Sequence, residues 1–398
     1  MDELVYPRER VLGTITLVLG ILVWLALIVG TVGIALIGLL IGFLFYLFMH
    51  SALIAHIKGN GVELSESQFP DMYAQFTACC ERLQMDRHPR AYIMNGDGRF
   101  NAFATKFLGT PFVVLYSDVV DAMAKHADGV RFYIGHELGH LRMKHLSGHF
   151  LRWPVLWLPL LGAAYSRARE STCDRHGLAC SSSPEGAARA LGALAAGPER
   201  WQHLDLTAYR EQTRQTSGFW MSLHELLAGY PWVSKRVARV MNPEEKLPSR
   251  NVFSYFLAIF VPYSGRLGSG FGLLVMIYII GLLAAVAIPA YQGYVTRAEL
   301  STDIAASASI REKLTSYYLT THDIPTSLRV AGLPSHLTDG SKLSLDSNNM
   351  VLTLATRKGT LVFTPQATKE GKIIWFCSAG KGLHKNAVPL ACRQMGRE

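Results

Sequence analysis

Charged residues are scarce in this sequence. Only 17% of its 398 residues are Asp, Glu, Lys or Arg, against about 25% in ordinary soluble domains, and 49% are hydrophobic. This balance excludes intrinsic disorder and favours membrane spans. Cysteine is also rare. The six cysteines form no Cys-x2-Cys pair, so neither a disulfide-rich scaffold nor a cysteine zinc finger is expected.

Residues 11–49 contain no Asp, Glu, Lys or Arg, and this stretch is roughly twice as long as the 20 or so residues that a membrane-crossing helix requires. The Gly-Thr-Val-Gly stretch at residues 30–33 is the turn signal within it. The run therefore predicts a hairpin of two helices, over about residues 11–29 and 32–49. We assign this hairpin to an N-terminal membrane region, residues 1–57.

A third span is predicted at residues 267–290, the apolar part of a second charge-free run. Two other apolar segments, 150–165 and 253–263, are shorter, and the first contains Arg152 and two prolines. They leave open whether the chain has three or four spans. We expect residues 150–165 to lie in the membrane interface or against the folded domain.

Basic residues indicate the orientation of these spans. With three spans, the lysines and arginines that flank the hairpin and precede the third span fall on one side, which should be the cytoplasm. Residues 58–266 are then inside and 291–398 outside. This distribution accounts for the net charge of +9 without a nucleic-acid partner, because no aromatic-interleaved basic patch is present. Cys377 and Cys392 fall on the oxidising side, where a disulfide can form.

Residues 132–140 have the apolar spacing of a helix and contain the pattern His-Glu-x-x-His. On a helix, His136 and His140 are one turn apart on one face, so two imidazole nitrogens can reach one metal ion. Glu137 lies beside them, where it can take a proton from water. The alternative is a half-buried helix whose histidines make ordinary hydrogen bonds, because five residues alone are a weak signal.

A catalytic zinc site needs a third protein ligand. The metzincin pattern is excluded, since Met143 and Leu146 occupy the positions of its glycine and its third histidine. His145 follows His140 by five residues, so we expect it to point away from the face that His140 occupies.

The better candidate for the third ligand is Glu170, on a second predicted helix. Asp174 lies one turn later on the same face, where it could orient a ligand histidine through its second ring nitrogen. Without the upstream histidines, a solvated and ion-paired helix face would be the simpler interpretation of these two carboxylates.

Three motifs carry a family resemblance. They are Arg-Phe-Asn-Ala-Phe-Ala-Thr at residues 99–105, Gly-His-Glu-Leu-Gly-His at 135–140 and Arg-x-x-Glu-x-x-x-Asp at 167–174. In this order they resemble the HtpX-type zinc metallopeptidases, the membrane-anchored group that includes the CAAX prenyl proteases. The similarity covers about residues 60–245.

This resemblance implies His136, His140 and Glu170 as the ligands of one zinc ion per chain, and Glu137 as the general base. It also implies a mainly α-helical, gluzincin-type peptidase domain over residues 58–266, facing the cytoplasm. The orientation agrees with that expected from the basic residues.

Residues 100–106 and 111–116 predict a small β-ribbon within this domain. The Asn-Ala-Phe-Ala strand resembles the family's edge strand, which holds a substrate backbone by strand addition. The resemblance therefore implies that Asn101, Ala102 and Phe103 bind substrate. The alternative is that this β-ribbon is only a hairpin of the hydrophobic core and does not bind substrate.

The segment Tyr-Pro-Trp-Val-Ser-Lys-Arg at residues 230–236 resembles the family's His-Pro-x-x-x-x-Arg segment, with Tyr230 in place of the histidine. On this ground we also assign Arg236 to the substrate-binding site.

The third span, above all residues 281–294, resembles the N-terminal helix of type IV pilins, and the similarity covers about residues 268–398. It implies an α+β domain over residues 267–398, with a long N-terminal helix and an antiparallel sheet. It also implies a disulfide between Cys377 and Cys392. The predicted strands are residues 342–346, 350–356, 361–364 and 372–377.

The pilin resemblance has departures at its start. Leu267, Gly268 and Gly272 stand where pilins carry the glycine before the cleavage site, the mature N-terminal phenylalanine and the glutamate needed for assembly. We therefore expect this domain to stay attached to the peptidase, as an anchor and an external sensor or docking module.

Together these features predict a multi-pass zinc metalloendopeptidase of a bacterial inner membrane, with a cytoplasmic peptidase domain and a periplasmic pilin-like head. Its partners would be the lipid bilayer and protein substrates in or near the membrane, with no nucleic acid. The alternative is a non-catalytic scaffold of a pilus or secretion apparatus. The sequence predicts neither the oligomeric state nor the natural substrate.

Overall fold

The computed structural model describes residues 2–98, 100–265, 268–383, 387–389 and 392. The chain divides into two compact units, Met1–Ile277 and Tyr278–Glu398. Three residues named in the sequence motifs and at the predicted domain boundary, Arg99, Arg266 and Leu267, lie outside the described residues.

The first unit is mainly helical. Its helices are α1 (Pro7–Gly30), α2 (Ile34–Asn60), α3 (Pro70–Arg82), α4 (Ser117–Ala122), α5 (Ala127–Arg142), α6 (His149–Leu156), α7 (Leu161–Cys180), α8 (Pro184–Arg200), α9 (Leu206–Glu211), α10 (Phe219–Leu227), α11 (Val233–Met241) and α12 (Val252–Ala258). Helix α13 (Gly268–Ala306) begins in this unit and continues into the second.

Three helices of the described chain are long and apolar enough to cross a membrane: Pro7–Gly30, Ile34–Asn60 and Gly270–Thr321. The first two form the predicted hairpin, and the turn between them ends at Gly33, whose φ of 83° a glycine adopts readily. The segments predicted as borderline spans form α6, the start of α7 and α12, and none of these is among the three described helices that are long and apolar enough to cross.

The sheet of the first unit is larger than the predicted ribbon. Strands β3 (Ala102–Phe107) and β4 (Thr110–Tyr116) pair antiparallel as expected, but β2 (Arg90–Met94) adds to β4 in parallel and β1 (Val62–Glu63) adds to β2. The order β1-β2-β4-β3 leaves β3 at an edge. Strand β1 has only two residues, too few for a recognisable alternation, and β2 pairs in parallel with a strand that is not its neighbour in the chain.

Helices α5 and α7 pack closely because glycines line their contact. A Cβ atom on Gly135 would lie 2.8 Å from the Sγ atom of Cys180, and one on Gly139 would lie 3.1 Å from the Cβ atom of His176. In return, Gly177 of α7 faces the backbone of Phe132. Both helices are buried over most of their length, so the polar side chains they carry are held in a rigid interior.

The second unit packs helices on an antiparallel sheet. Its remaining elements are α14 (Ala308–Thr321), β5 (Lys342–Leu345), β6 (Leu352–Thr356), β7 (Gly359–Ala367) and β8 (Ile373–Ala379), and the strands follow one another in the sheet in chain order. Leu300 and Leu314 from the helices meet Leu352 and Phe363 of the sheet in one core. A disulfide joins Cys377 to Cys392.

Helix α1 is held against the rest of the first unit by a close contact with α6. Gly20 leaves room for the backbone of Leu151, and an added Cβ atom would collide with the Leu151 carbonyl oxygen. One turn further along, the Trp24 ring stacks on Phe150 at a centroid distance of 4.9 Å and its Nε1 donates to the Phe150 carbonyl at 3.0 Å. The apolar hairpin and the helices that follow it are therefore packed together through α1 and α6.

We expect Gly20→Ala to push α1 away from α6 and to lower the free energy of unfolding by about 1–3 kcal/mol, the usual cost of overpacking. Gly42→Ala is the matched control, because Gly42 lies in the second apolar helix with nothing within 4 Å of an added Cβ atom. Thermal unfolding of the full chain in detergent measures both variants. Equal melting temperatures for the two would contradict the close α1–α6 contact.

Candidate metal centre

Helix α5 carries the His-Glu-x-x-His residues. His136 and His140 lie one turn apart on this helix, and their ring centroids are 5.2 Å apart. Glu137, which follows His136 in the chain, is buried. The regular helix produces this arrangement, since residues four apart share a face.

Helix α7 brings Glu170 to the two histidines. The Glu170 Oε2 atom lies 3.3 Å from His136 Nε2, and its Oε1 atom lies 3.8 Å from His140 Nε2. The Glu170 side chain is only 5% exposed. The three residues that the sequence singled out as a ligand set therefore converge, although 30 positions separate His140 from Glu170 in the chain.

His136 is fixed from behind by a second carboxylate. Its Nδ1 atom is 3.1 Å from Asp174 Oδ1. Arg236 in turn donates two hydrogen bonds to Asp174, from Nε to Oδ2 at 2.9 Å and from Nη2 to Oδ1 at 2.6 Å. A carboxylate that can only accept places the hydrogen on His136 Nδ1, so the Nε2 lone pair is left for a metal ion.

His140 is also held through its second ring nitrogen, and here the sequence-based expectation was wrong. His145 does not point away from His140, since the two Nδ1 atoms are 3.0 Å apart. Helix α5 ends at Arg142, and Lys144 adopts a positive φ of 55°, which turns the chain back. His145 then reaches Glu9 of α1, with Nε2 2.7 Å from Oε1.

A cysteine that the sequence did not suggest also lies in this cluster. One ligand atom each from Cys173, His136 and His140 fall within 4.8 Å of one another, which is compatible with metal binding. Burial, reinforced by nearby carboxylates, raises the pKa of the Cys173 thiol well above its ordinary value. Zinc binds a cysteine as the thiolate, so Cys173 would have to lose its proton on binding, whereas Glu170 offers a carboxylate oxygen.

The electrostatics of the site favour a positive charge between the histidines and the carboxylates. Burial alone would lower the pKa of His136, but the hydrogen bond with Asp174 and the negative charge of Glu170 raise that pKa to about 10. Burial would raise the pKa of Glu170, yet His136 and His140 bring it down to about 2. The pKa of His140 lies well below its ordinary value because of burial.

A divalent cation fits this donor set. Two imidazole nitrogens and one carboxylate are a common ligand set for zinc. The buried Glu170 Oε2 atom accepts no hydrogen bond from the described part of the chain, in spite of the nearby His136. A buried carboxylate oxygen without a donor costs free energy unless a cation or another donor approaches it, so this atom is where the metal would bind.

Arg167, the first residue of the Arg-x-x-Glu motif, holds the chain that leads to Arg236. Its Nη1 atom donates to the carbonyl oxygens of Glu225, Leu226 and Ala228, at 2.6, 3.0 and 2.6 Å. These are the last carbonyls of α10 and the start of its link to α11, which carries Arg236. The sequence identified Arg167 only as part of a motif.

A cavity of about 680 Å³ opens above the cluster. It is lined by His136, Glu137, His140 and Glu170 on one side, and on another by residues of the edge strand and its start, which are Asn101, Ala102, Phe103 and Ala104. Arg236 also borders the cavity, but its guanidinium binds Asp174. The structure thus brings together all the peptidase-domain residues that the sequence assigned to the site.

Comparison with known proteins gives two independent matches. Residues 66–161 match the family model of peptidase family M48, which covers the His-Glu-x-x-His residues. A different part of the chain is similar to curated pilins.

The type IV major pilin protein PilE1 of Neisseria gonorrhoeae is 33% identical over 30% of this chain and 89% of its own length. A fimbrial protein of Neisseria meningitidis is 32% identical over 26% of this chain and 68% of its own length. The fimbrial protein EcpC of Eikenella corrodens is 26% identical over 30% of this chain and 86% of its own length.

Peptidase family M48 is metal-dependent, in agreement with the cluster of potential ligands on α5 and α7. The recognition of both families from the sequence motifs is confirmed. The chain belongs to the type IV pilin family through one part and carries a peptidase family M48 domain in another, as a fusion of the two.

Proposed function

We propose that this chain is a membrane-bound zinc metalloendopeptidase that hydrolyses peptide bonds of membrane or membrane-proximal proteins. The observation that carries the proposal is the convergence of His136, His140 and Glu170 at one end of a cavity in a domain of peptidase family M48. The domain would be of the gluzincin type, in which a glutamate from a second helix completes the ligand set.

His136 Nε2, His140 Nε2 and a carboxylate oxygen of Glu170 would hold the ion. The chemistry that zinc supplies in such a site is Lewis acidity, which lowers the pKa of water toward about 7 and polarises a peptide carbonyl. Asp174, held by Arg236, keeps His136 in the tautomer that can bind metal. We therefore propose that Arg236 positions Asp174, in preference to the direct substrate contact expected from the sequence.

Glu137 acts as the general base. Its carboxylate lines the cavity next to the two histidines and is buried, so it can take the proton of an attacking water and later deliver it to the leaving amine. Burial excludes bulk water and strengthens the electrostatic interactions within the site.

The substrate would bind along β3. Because β3 is an edge strand that borders the cavity, an extended peptide can add to it through backbone hydrogen bonds, with Asn101, Ala102 and Phe103 next to the scissile bond. Such binding depends on the peptide backbone more than on the side chains, so it suits a peptidase with many substrates.

The membrane location supports the substrate class. The cavity is also lined by Trp153 and Trp157, which are 60% and 50% exposed and belong to the segment that packs on α1. Exposed tryptophans next to an apolar hairpin are typical of the membrane interface. We propose that the cavity lies at the cytoplasmic surface of a bacterial inner membrane, with the bilayer and its proteins as partners.

For the rest of the chain we keep the domain division expected from the sequence as part of this proposal. Residues 1–57 would form the membrane hairpin, 58–266 the peptidase domain and 267–398 a pilin-like domain whose head lies in the periplasm. The disulfide between Cys377 and Cys392 suits an oxidising compartment, whereas the buried thiols Cys79, Cys80, Cys173 and Cys180 suit a reducing one.

A scaffold role in a pilus is the second candidate, favoured by the pilin relatives. It predicts no proteolysis, so the general base separates the two functions. We expect Glu137→Gln to keep its zinc but to lower cleavage of a fluorogenic casein by about 10²–10⁴-fold, because the base is removed and the ligands are not.

Elemental analysis and casein hydrolysis on purified full-length protein test this expectation, with the exposed Glu199→Gln as the control variant. Undiminished hydrolysis by Glu137→Gln would exclude this mechanism, and absence of hydrolysis in the unchanged protein would favour the scaffold.

Zinc binding should depend on pH. In the metal-free protein His136 carries a proton up to a pKa of about 10, so an incoming ion must displace it. Affinity should rise by about tenfold per pH unit between about pH 6 and 9 as protons become scarcer.

Calorimetry in buffers of different ionisation enthalpy should show about one proton released per zinc ion at pH 7. The control His203→Ala, in an exposed position, should behave like the unchanged protein. Binding that neither releases a proton nor changes with pH would contradict the role of His136.

Reporter insertions test the topology. Green fluorescent protein inserted after Glu244 should fluoresce, and alkaline phosphatase inserted after Ser347 should be active, because both residues lie in exposed turns on opposite sides of the third span. Alkaline phosphatase inserted after Glu244 should be inactive, and green fluorescent protein inserted after Ser347 should not fluoresce. The opposite pattern would place the peptidase domain outside the cytoplasm.

A further inference from the structure

Helix α1 contains a buried acid. Glu9 lies in the first turn of this helix, between Arg8 and Arg10, and is only 6% exposed. A buried carboxylate needs a strong donor to offset the loss of hydration. The donor is His145, whose Nε2 atom lies 2.7 Å from Glu9 Oε1 and whose side chain is 2% exposed.

The hydrogen-bonded chain continues from His145 to a proposed zinc ligand. His145 Nδ1 lies 3.0 Å from His140 Nδ1, and the two rings meet edge to face at a centroid distance of 5.1 Å. Glu9, His145 and His140 therefore form one buried relay from the first membrane helix to the proposed zinc site.

The positions of the hydrogens follow from the partners. The Glu9 carboxylate can only accept, so His145 carries its hydrogen on Nε2 and, as a neutral ring, accepts on Nδ1. His140 Nδ1 must then donate, which leaves the lone pair of His140 Nε2 directed toward the side of Glu170, 3.8 Å away. These tautomers are assigned from the hydrogen-bond network.

Further contacts hold the start of α1 in the position that this relay requires. The backbone N–H of Tyr6 donates to Thr172 Oγ1 of α7 at 3.0 Å. Arg175, also on α7, donates to the carbonyl oxygens of Glu3 and Val5 just before α1 begins. The start of α1 is thus fixed to the same helix that carries Glu170.

We propose that Glu9 positions His140 for metal binding through His145, so that the first membrane helix is a structural part of the metal centre. The proposal rests on the proposed function, because it takes His140 as a zinc ligand. Glu9 and His145 act as positioning residues that do not touch the metal or the substrate. Asp174 plays the same positioning role for His136, whereas His140 depends on Glu9, a residue of the membrane hairpin.

Metal affinity measures this role without any substrate. The full-length protein in detergent is titrated with zinc against a chelator, and its cobalt-substituted form is examined by visible absorption. Loss of a residue that orients a metal-bound histidine usually weakens metal binding by about 10–100-fold. We expect Glu9→Gln to weaken zinc binding within this range and to shift the cobalt spectrum.

Two further variants separate positioning from folding. Glu9→Leu removes the acceptor but suits an apolar helix, so it should fold and weaken zinc binding more than Glu9→Gln. His145→Phe breaks the same relay, so adding Glu9→Leu to it should cause little further loss of affinity. The exposed Glu3→Gln is the matched control and should bind zinc like the unchanged protein.

The outcomes distinguish the two proposals. If the unchanged protein and Glu137→Gln bind no zinc, the proposed function fails and this inference fails with it. If both bind zinc, and Glu9→Gln and Glu9→Leu bind it with unchanged affinity and an unchanged cobalt spectrum, only the relay is wrong. A lower melting temperature of these variants with unchanged metal binding would likewise overturn it, since that is the result of a merely structural role.

Discussion

The close contact between α5 and α7 is the constraint on which the rest of this structure depends. Gly135 and Gly139 on one helix and Gly177 on the other leave no room for side chains, and the helix backbones approach accordingly. Only at this distance can Glu170 reach both His136 and His140. The glycines of the Gly-His-Glu-Leu-Gly-His motif thus have a packing role that complements the chemistry of its histidines.

The apolar hairpin takes part in the architecture of the first unit at several points. Helix α1 packs on α6 and α7, and α2 lies against the sheet, where His50 is hydrogen-bonded to Thr105 of the edge strand at 2.9 Å. The cluster of potential metal ligands and the edge strand are therefore each in contact with one helix of the hairpin. An anchor that only tethered the domain would require neither contact, and we interpret the hairpin as a structural support of the cavity.

Local patterns predicted the parts of this molecule that follow from periodicity and spacing. The hairpin, the position of His136 and His140 on one helix face, the approach of Glu170 and the strands of the second unit all agree with the sequence-based expectations. The failures are contacts made by chain reversals or between distant segments. If α5 is extended as an ideal helix beyond Arg142, His145 points away from His140, and this expectation was wrong. No local signal in the sequence links Glu9 with residue 145. Strand β2 was missed because its pairing with β4 is parallel and nonlocal.

The choice of Glu170 over Cys173 as the third ligand is the central claim about the proposed zinc site. Zinc K-edge absorption fine structure of the zinc-loaded, full-length protein measures it directly, because zinc–sulfur distances of about 2.3 Å differ from zinc–nitrogen and zinc–oxygen distances of about 2.0–2.2 Å. The account predicts one zinc ion per chain with a shell of light atoms that includes two imidazoles. A sulfur atom at about 2.3 Å, or a metal shell without imidazole, would contradict it.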